Sequence, residues 1–406
     1  MGMLRFETPT GSVDAVKKLG TATLPHFAKR PRTSRIAVGT VLLASGLILA
    51  GCTQQMLGDN GDESAEQSDR PLAGEASTPD PSPQAKKDLP GAQGEAAPGI
   101  KDVVSVERSG NQDRIAVLRE GSLSIGAPDD VLRAGAKSVE VDKSCHNLST
   151  SAKGVAVACQ DALLEFGPDA KELKNVHVEG LVSSGTFADT GKGVAGVEGS
   201  DKIQYFDAEG NNTGSEVVTA NSDETLLINA GSGEPQRAAV IDRSQTSISD
   251  IDIDNAANNA ALRIGQGVGE AADGRGDDGV IVASDHRQQQ VQIFSMLDVV
   301  RLHQEAPVGP SPWAVRWDFD RQIAWVSTTG DNQLTGYRIN SGTPLPVAQF
   351  DTIADVRSII DSPDGELLLI SEDGEWQKLE TGDIDQGLER GVDTTEEFGT
   401  RPIAEK

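Results

Sequence analysis

Aromatic side chains are scarce in this 406-residue chain: four Trp, two Tyr and nine Phe make up 4% of it. Basic residues are few as well, 36 Lys and Arg against 63 Asp and Glu, which gives a formal charge of −27. So negative a chain repels nucleic-acid phosphates, whose binding depends on neutralisation by Lys and Arg, and no nucleic-acid partner is expected. Anionic lipid headgroups repel it too, unless it is held to them covalently. The histidines beyond the N-terminal region, His146, His177, His286 and His303, are dispersed, with no HxH or HExxH pattern. A zinc site therefore has no support, and the absence of a GxSxG elbow removes support for a serine hydrolase. What the chain does have is glycine, 44 residues, beside 19 prolines. That composition fits many short strands joined by tight turns, and the length suits two or three average domains or one large architecture.

The N-terminal region reads as an address. Ile36 to Ala50 is an uncharged apolar run of 15 residues, too short for a comfortable membrane span. Lys29, Arg30, Arg32 and Arg35 precede it, and Leu49-Ala50-Gly51-Cys52 ends it. This arrangement resembles a bacterial secretory signal with a lipobox. The resemblance implies that residues 1–51 are removed and that Cys52 carries acyl chains at the new N-terminus. Two or three such chains suffice for stable anchoring where one does not. The n-region of about 35 residues is long, from an extended presequence or a start codon set too far upstream. Residues 52–98 are rich in Asp, Glu, Ser, Pro and Gln and nearly free of large apolar side chains, so they are expected to form a disordered tether.

From about residue 99 to 381 a unit recurs, made of an apolar strand, a polar turn and a second alternating strand. Its copies begin near 115, 155, 194, 238, 280, 323 and 367, at spacings of 40, 39, 44, 42, 43 and 44. A strand repeat of this length predicts an all-β fold, a seven-bladed propeller of four-stranded blades, because only blades stacked around an axis bury both faces of every strand. The quoted pairs fit the second and third strands of each blade. The last unit lacks a fourth strand, which either the segment after Pro98 or the one after Gly391 must supply; residues 382–406 read as an acidic tail. Cys145 and Cys159 bracket the turn at Ser151–Gly154. A register that sets 149 against 155 puts the two cysteines opposite one another, and an exported domain permits the disulfide.

Within this pattern, Pro312 to Val315, Ala324 to Ser327 and Gly330 to Tyr337 resemble the YVTN-type propeller repeat. The stretch from Asp242 to Pro346 is similar to the LppL family of actinobacterial cell-envelope lipoproteins. Asp242, Arg243, Gln245 to Ser247, Arg263, Gly265 to Gly267, Gln292, Asp298, Arg301, Asn332 and Gly342 carry that likeness. It covers roughly a hundred residues and implies a propeller anchored on the outer face of the cytoplasmic membrane, with no established catalytic residues.

Propellers commonly bind ligands at one mouth of the central channel, beside the turns between second and third strands. Asp242, Arg243, Gln266, Asp285, His286, Arg287, Trp313 and Asn332 are the candidate mouth residues. Turns are polar simply because they are exposed, so the best individual choices are Arg243, Arg287 and Trp313, residue types that anchor binding sites more often than chance. Asp250, Asp252 and Asp254 imitate the start of a calcium loop. Position six is Asn255 and position twelve Ala261, so calcium is a weak candidate there and no other metal or cofactor is expected; strand alternation would instead put the three Asp on one solvated face. The leading expectation is a monomeric, non-catalytic binding or scaffold module for a wall polymer or exported protein. The alternatives are an enzyme acting on a lactone or sugar, which needs converging acids or histidines at the mouth, and an envelope metal or solute chaperone.

Overall fold

The computed structural model describes residues 74–106, 114–231 and 233–392. Seven four-stranded antiparallel sheets stand around a central channel, with strands in chain order from the axis outward in the first six. These blades span 100–140, 147–177, 182–217, 224–263, 268–307 and 312–351. The seventh takes its first three strands from 356–379. Each of the seven sequence units is the second and third strand of one blade, as the period predicts.

Burial explains why the period was visible. The second strand of a blade packs against neighbours on both faces, so Gly154–Ala158 (GVAVA) and Leu367–Ser371 (LLLIS) are buried throughout. The outermost strands face solvent, and Asn212–Val217 (NTGSEV) is mostly exposed. Between successive blades lie seven apolar clusters, one at each interface. Ala156, Leu163, Phe187 and Phe206 join the second blade to the third. Val103, Ile115, Ile360, Leu368 and Ile370 join the last blade to the first and close the ring.

The structure corrects the expected source of the closing strand. Neither the segment after Pro98 nor the one after Gly391 supplies it; Ala92–Glu95 does, pairing antiparallel with Glu375–Leu379 from Ala92↔Lys378 to Glu95↔Glu375. Gly91 turns the chain into this strand at φ 73°, and a side chain there would meet the Lys378 carbonyl. Gly94 lies flat on the Trp376 indole. The propeller therefore starts at 92 rather than 99. Residues 74–90, expected to be tether, run across one face of the ring as a strap. The C-terminal segment begins as a helix, Thr381–Arg390, whose Ile384 and Gly387 pack on blade six beside Phe350, so the first ten residues past the ring are docked.

Cys145 and Cys159 are joined by a disulfide. The ladder around them is offset by one residue from the expected register, with Ser149 opposite Ala156 and Asn147 opposite Ala158. Cys145 lies before that ladder, its N–H bonded to Asp142 O at 3.0 Å, and reaches Cys159 from the turn. Among the described residues no helix is long and apolar enough to cross a membrane.

Candidate functional site

The candidate residues meet on one face of the ring but fall into three groups. Asp242 and Asp285 form the first. Both side chains are fully buried at the end of a second strand. Asp285 accepts the N–H groups of Gln266 (2.9 Å), Gly267 (3.1 Å), Arg287 (3.1 Å) and Gln288 (3.2 Å). Asp242 accepts Thr219 Oγ1 (2.7 Å), Asn221 N (2.8 Å), Ser244 Oγ (2.6 Å) and Gln245 N (2.7 Å). Each carboxylate staples its turn to the preceding loop, and neither has lone pairs to offer a ligand.

The second group lines the channel mouth. Arg243 Nη2 lies 2.8 Å from Glu270 and 3.7 Å from Glu224, and its guanidinium stacks over Trp313 at 5.7 Å. His286 meets the same indole edge-on at 6.2 Å. Arg243 lines a cavity of about 520 Å³, to which blades one, two, four, five and seven contribute; Trp313 and His286 are not on its wall. It holds Lys101, Asp102, His146, Asp223, Glu224, Arg243, Glu270, Arg357 and Glu372. Below, the channel narrows to about 100 Å³, where Arg316 reaches Asp361 at 2.6 Å and Asp273 at 3.8 Å.

Burial sets the electrostatics of the mouth. It lifts the Asp102 carboxyl to about 6, against the pull of backbone N–H groups from Leu148 and Val103. Burial also holds Glu224 well above the usual carboxylate range, with Glu270 adding to the effect and Arg243 opposing it. Asp223 is raised by the same desolvation. Burial by itself would lower the Arg243 pKa, but Glu270 and Glu224 outweigh it and drive the value up. Sequence reasoning found Arg243, chose Trp313, which backs that guanidinium without lining the cavity, and missed Asp102, Asp223, Glu224, Glu270 and Arg357. Those five stand at or near the heads of inner strands, where a single charge after a loop looks like more loop.

The third group holds the strap. Arg287 Nη2 donates to Glu75 O (2.8 Å) and its Nη1 to Gln266 O (3.1 Å). Asn332 Nδ2 donates to Pro83 O at 2.8 Å. Ser82 Oγ donates to Thr329 O (2.9 Å), and Ser82 N to Asp355 Oδ1 (3.1 Å). Gly74 N bonds Ser244 O, Asp80 N bonds Ser311 Oγ, and Lys86 pairs with Asp351 at 2.6 Å. Arg287, Asn332 and Gln266 thus engage the protein's own chain or one another.

The Asp250–Asp254 triplet does not converge. Asp250, expected on a solvated face, is buried and held by Arg237 Nε at 2.8 Å and Val300 N at 2.8 Å. Asp252 caps the turn through Asn255 N (2.9 Å), and Asp254 accepts Thr190 Oγ1 at 3.1 Å. Among the described residues no group of three or more His, Cys, Asp or Glu is arranged to hold a metal ion. Cys52 lies outside the described residues.

No protein-family model matches the sequence, and no curated protein is similar to it. Solved structures do resemble it. The WD40 domain of Neurospora crassa Pan2 superposes with a TM-score of 0.51 at 11% identity, over 69% of this chain and 88% of that one. The β-propeller domain of Myceliophteria thermophila Cps50 (Swd1) gives 0.51 at 13%, covering 70% and 99%. The WD40 β-propeller domain of Doa1 gives 0.50 at 13%, covering 71% and 96%. The likeness is one of fold. It agrees with the seven-bladed propeller that the sheets themselves form, and a fold alone does not fix a function.

Proposed function

We propose that this protein is a lipid-anchored envelope lipoprotein whose propeller mouth binds a wall component or an exported protein without transforming it. The observation that carries the reading is the mouth cavity of about 520 Å³, into which charged side chains from four blades and the imidazole of His146 from a fifth converge. The lipobox resemblance at Cys52 and the likeness to LppL lipoproteins support the anchor and the place, and the Cys145–Cys159 disulfide suits an oxidising compartment.

The test is photocrosslinking in intact cells. A crosslinking residue at exposed Glu372, in the mouth, is compared with one at exposed Asp277, in a turn on the opposite face. Adducts from position 372 alone support a mouth-centred module. Equal adducts from both positions, or none from 372, overturn it.

The raised carboxyls of Asp102 and Glu224 favour a second reading, an enzyme acting on a lactone or sugar with one of these acids as proton donor. Turnover of a lactone panel by the wild type, lost in Glu224→Gln, would establish it.

A further inference from the structure

We propose that the mouth cavity is a site for a ligand bearing an ammonium or guanidinium group, in the first instance a basic amino acid or the basic side chain of a peptide. The inference rests on the reading of the mouth as a binding site and names what binds there.

Acidic side chains outnumber basic ones around the cavity. Asp102, Asp223, Glu224, Glu270 and Glu372 face Lys101, Arg243, Arg357 and the imidazole of His146, and each of the three cations is already engaged. Lys101 Nζ donates to the carbonyls of Lys143 and Cys145, both at 3.1 Å. Arg357 is tied to Glu372 at 2.6 Å and approaches Asp355 at 3.7 Å. Arg243 alone serves Glu270 and Glu224, and only Glu270 receives a hydrogen bond from it.

The hydrogen-bond inventory points the same way, independently of charge. Glu224 Oε2 is sealed from solvent and has no hydrogen-bond partner, and Asn147 Oδ1 on the same cavity wall has none. Ser371, only 6% exposed, lines the cavity with an unpartnered hydroxyl. Unpartnered oxygens on three walls of one cavity suit a ligand rich in N–H donors and without acceptors, such as an alkylammonium. Arg357 Nη1 is the complementary case, a buried donor without a partner on the same wall. It suits a carboxylate or carbonyl on the ligand, so an amino acid or peptide fits better than a simple amine. The net charge of −27 draws such ligands toward the protein from a distance.

The experiment is isothermal titration of the full chain with four probes: L-lysine, 1,5-diaminopentane, a lysine-containing tripeptide and L-glutamate. The three cationic probes are expected to bind and glutamate is not, with the diamine weakest because it leaves Arg357 unanswered. Glu224→Gln is expected to weaken lysine at least ten-fold, while Glu305→Gln, on the exposed outer strand of blade five, leaves it unchanged. If Glu224→Gln does not fold, Ser371→Ala takes its place, with a weakening of at least three-fold. Equal binding of lysine and tripeptide assigns a free amino acid as the source; binding of the tripeptide alone assigns a protein or peptide. Absence of binding by every cationic probe, binding of glutamate as tight as lysine, or full affinity in both variants overturns the proposal. Adducts at position 372 without amine binding would sink this inference and leave the mouth-centred reading standing; absence of both would remove the two together.

Discussion

Asp285 and Arg287 are two positions apart in one turn and do different things. Asp285 is buried and accepts four backbone N–H groups, whereas Arg287 reaches outward to the strap. Asp285→Ala should therefore cost about 3 kcal/mol, since it strands several buried donors, while Arg287→Ala should cost under about 1 kcal/mol. Urea denaturation of the two variants checks this. Asp102 gives a pH signature of definite sign. Its carboxyl titrates near 6 in the folded protein, above its ordinary 3.8, so the folded state holds the proton more tightly. Ionised Asp102 penalises folding above pH 6 by up to about 3 kcal/mol, and that penalty is relieved as pH falls from 6 towards 4. Wild-type stability relative to Asp102→Asn should accordingly rise between pH 7.5 and 4.5, measured by denaturant midpoints. Sequence reasoning chose Asp242, Asp285, Arg243 and Arg287 as polar residues in turns and then ranked the two arginines higher by residue type. Turn position does not reveal whether a side chain points into its own backbone, into the channel or over the rim. Register and burial decide that.

The strap and closing strand show what composition conceals at the scale of elements. Residues 74–90 look like tether because they contain almost nothing to bury. Their docking uses backbone groups and short side chains, as at Ser82, instead of apolar area. Ala92–Glu95 (AQGE) has no alternating pattern, since it edges a blade and one residue is the glycine that clears Trp376. The seven second strands were legible for the opposite reason, being buried on both faces. A chain beginning at Gly74 should keep the stability of the full protein. One beginning at Ile100, without strap or closing strand, should melt lower by roughly 5 °C or more. Calorimetry of the two truncations decides it. Replacing Cys145 and Cys159 with serine opens a loop closed over a separation of 14 residues and should cost about 3 kcal/mol. Comparison of denaturant midpoints for the oxidised wild type and the double variant tests that loss.

For the whole molecule, the circular arrangement of cores matters more than any one of them. The cluster of Val103, Ile115, Ile360 and Leu368 ties the end of the propeller to its beginning, so no blade has a free face. Unfolding is expected as a single transition in which Trp376 of the seventh blade and Trp317 of the sixth are exposed together. Non-coincident fluorescence and circular-dichroism curves would refute this. In the truncation beginning at Ile100 the ring has an open edge, and the transition should broaden.

The strap also decides how the propeller answers a pull. Among the described residues, tension applied from the N-terminal side would meet the contacts of Gly74, on the mouth face, and then those of Glu75, Asp80, Ser82, Pro83 and Lys86 in turn. Such isolated contacts are expected to yield one by one under a pull, lengthening the chain as they do. The ladder from Ala92 to Glu95, whose loss would open the ring, is reached last. The strap is in this sense a mechanical fuse, spending extension before the propeller feels the load.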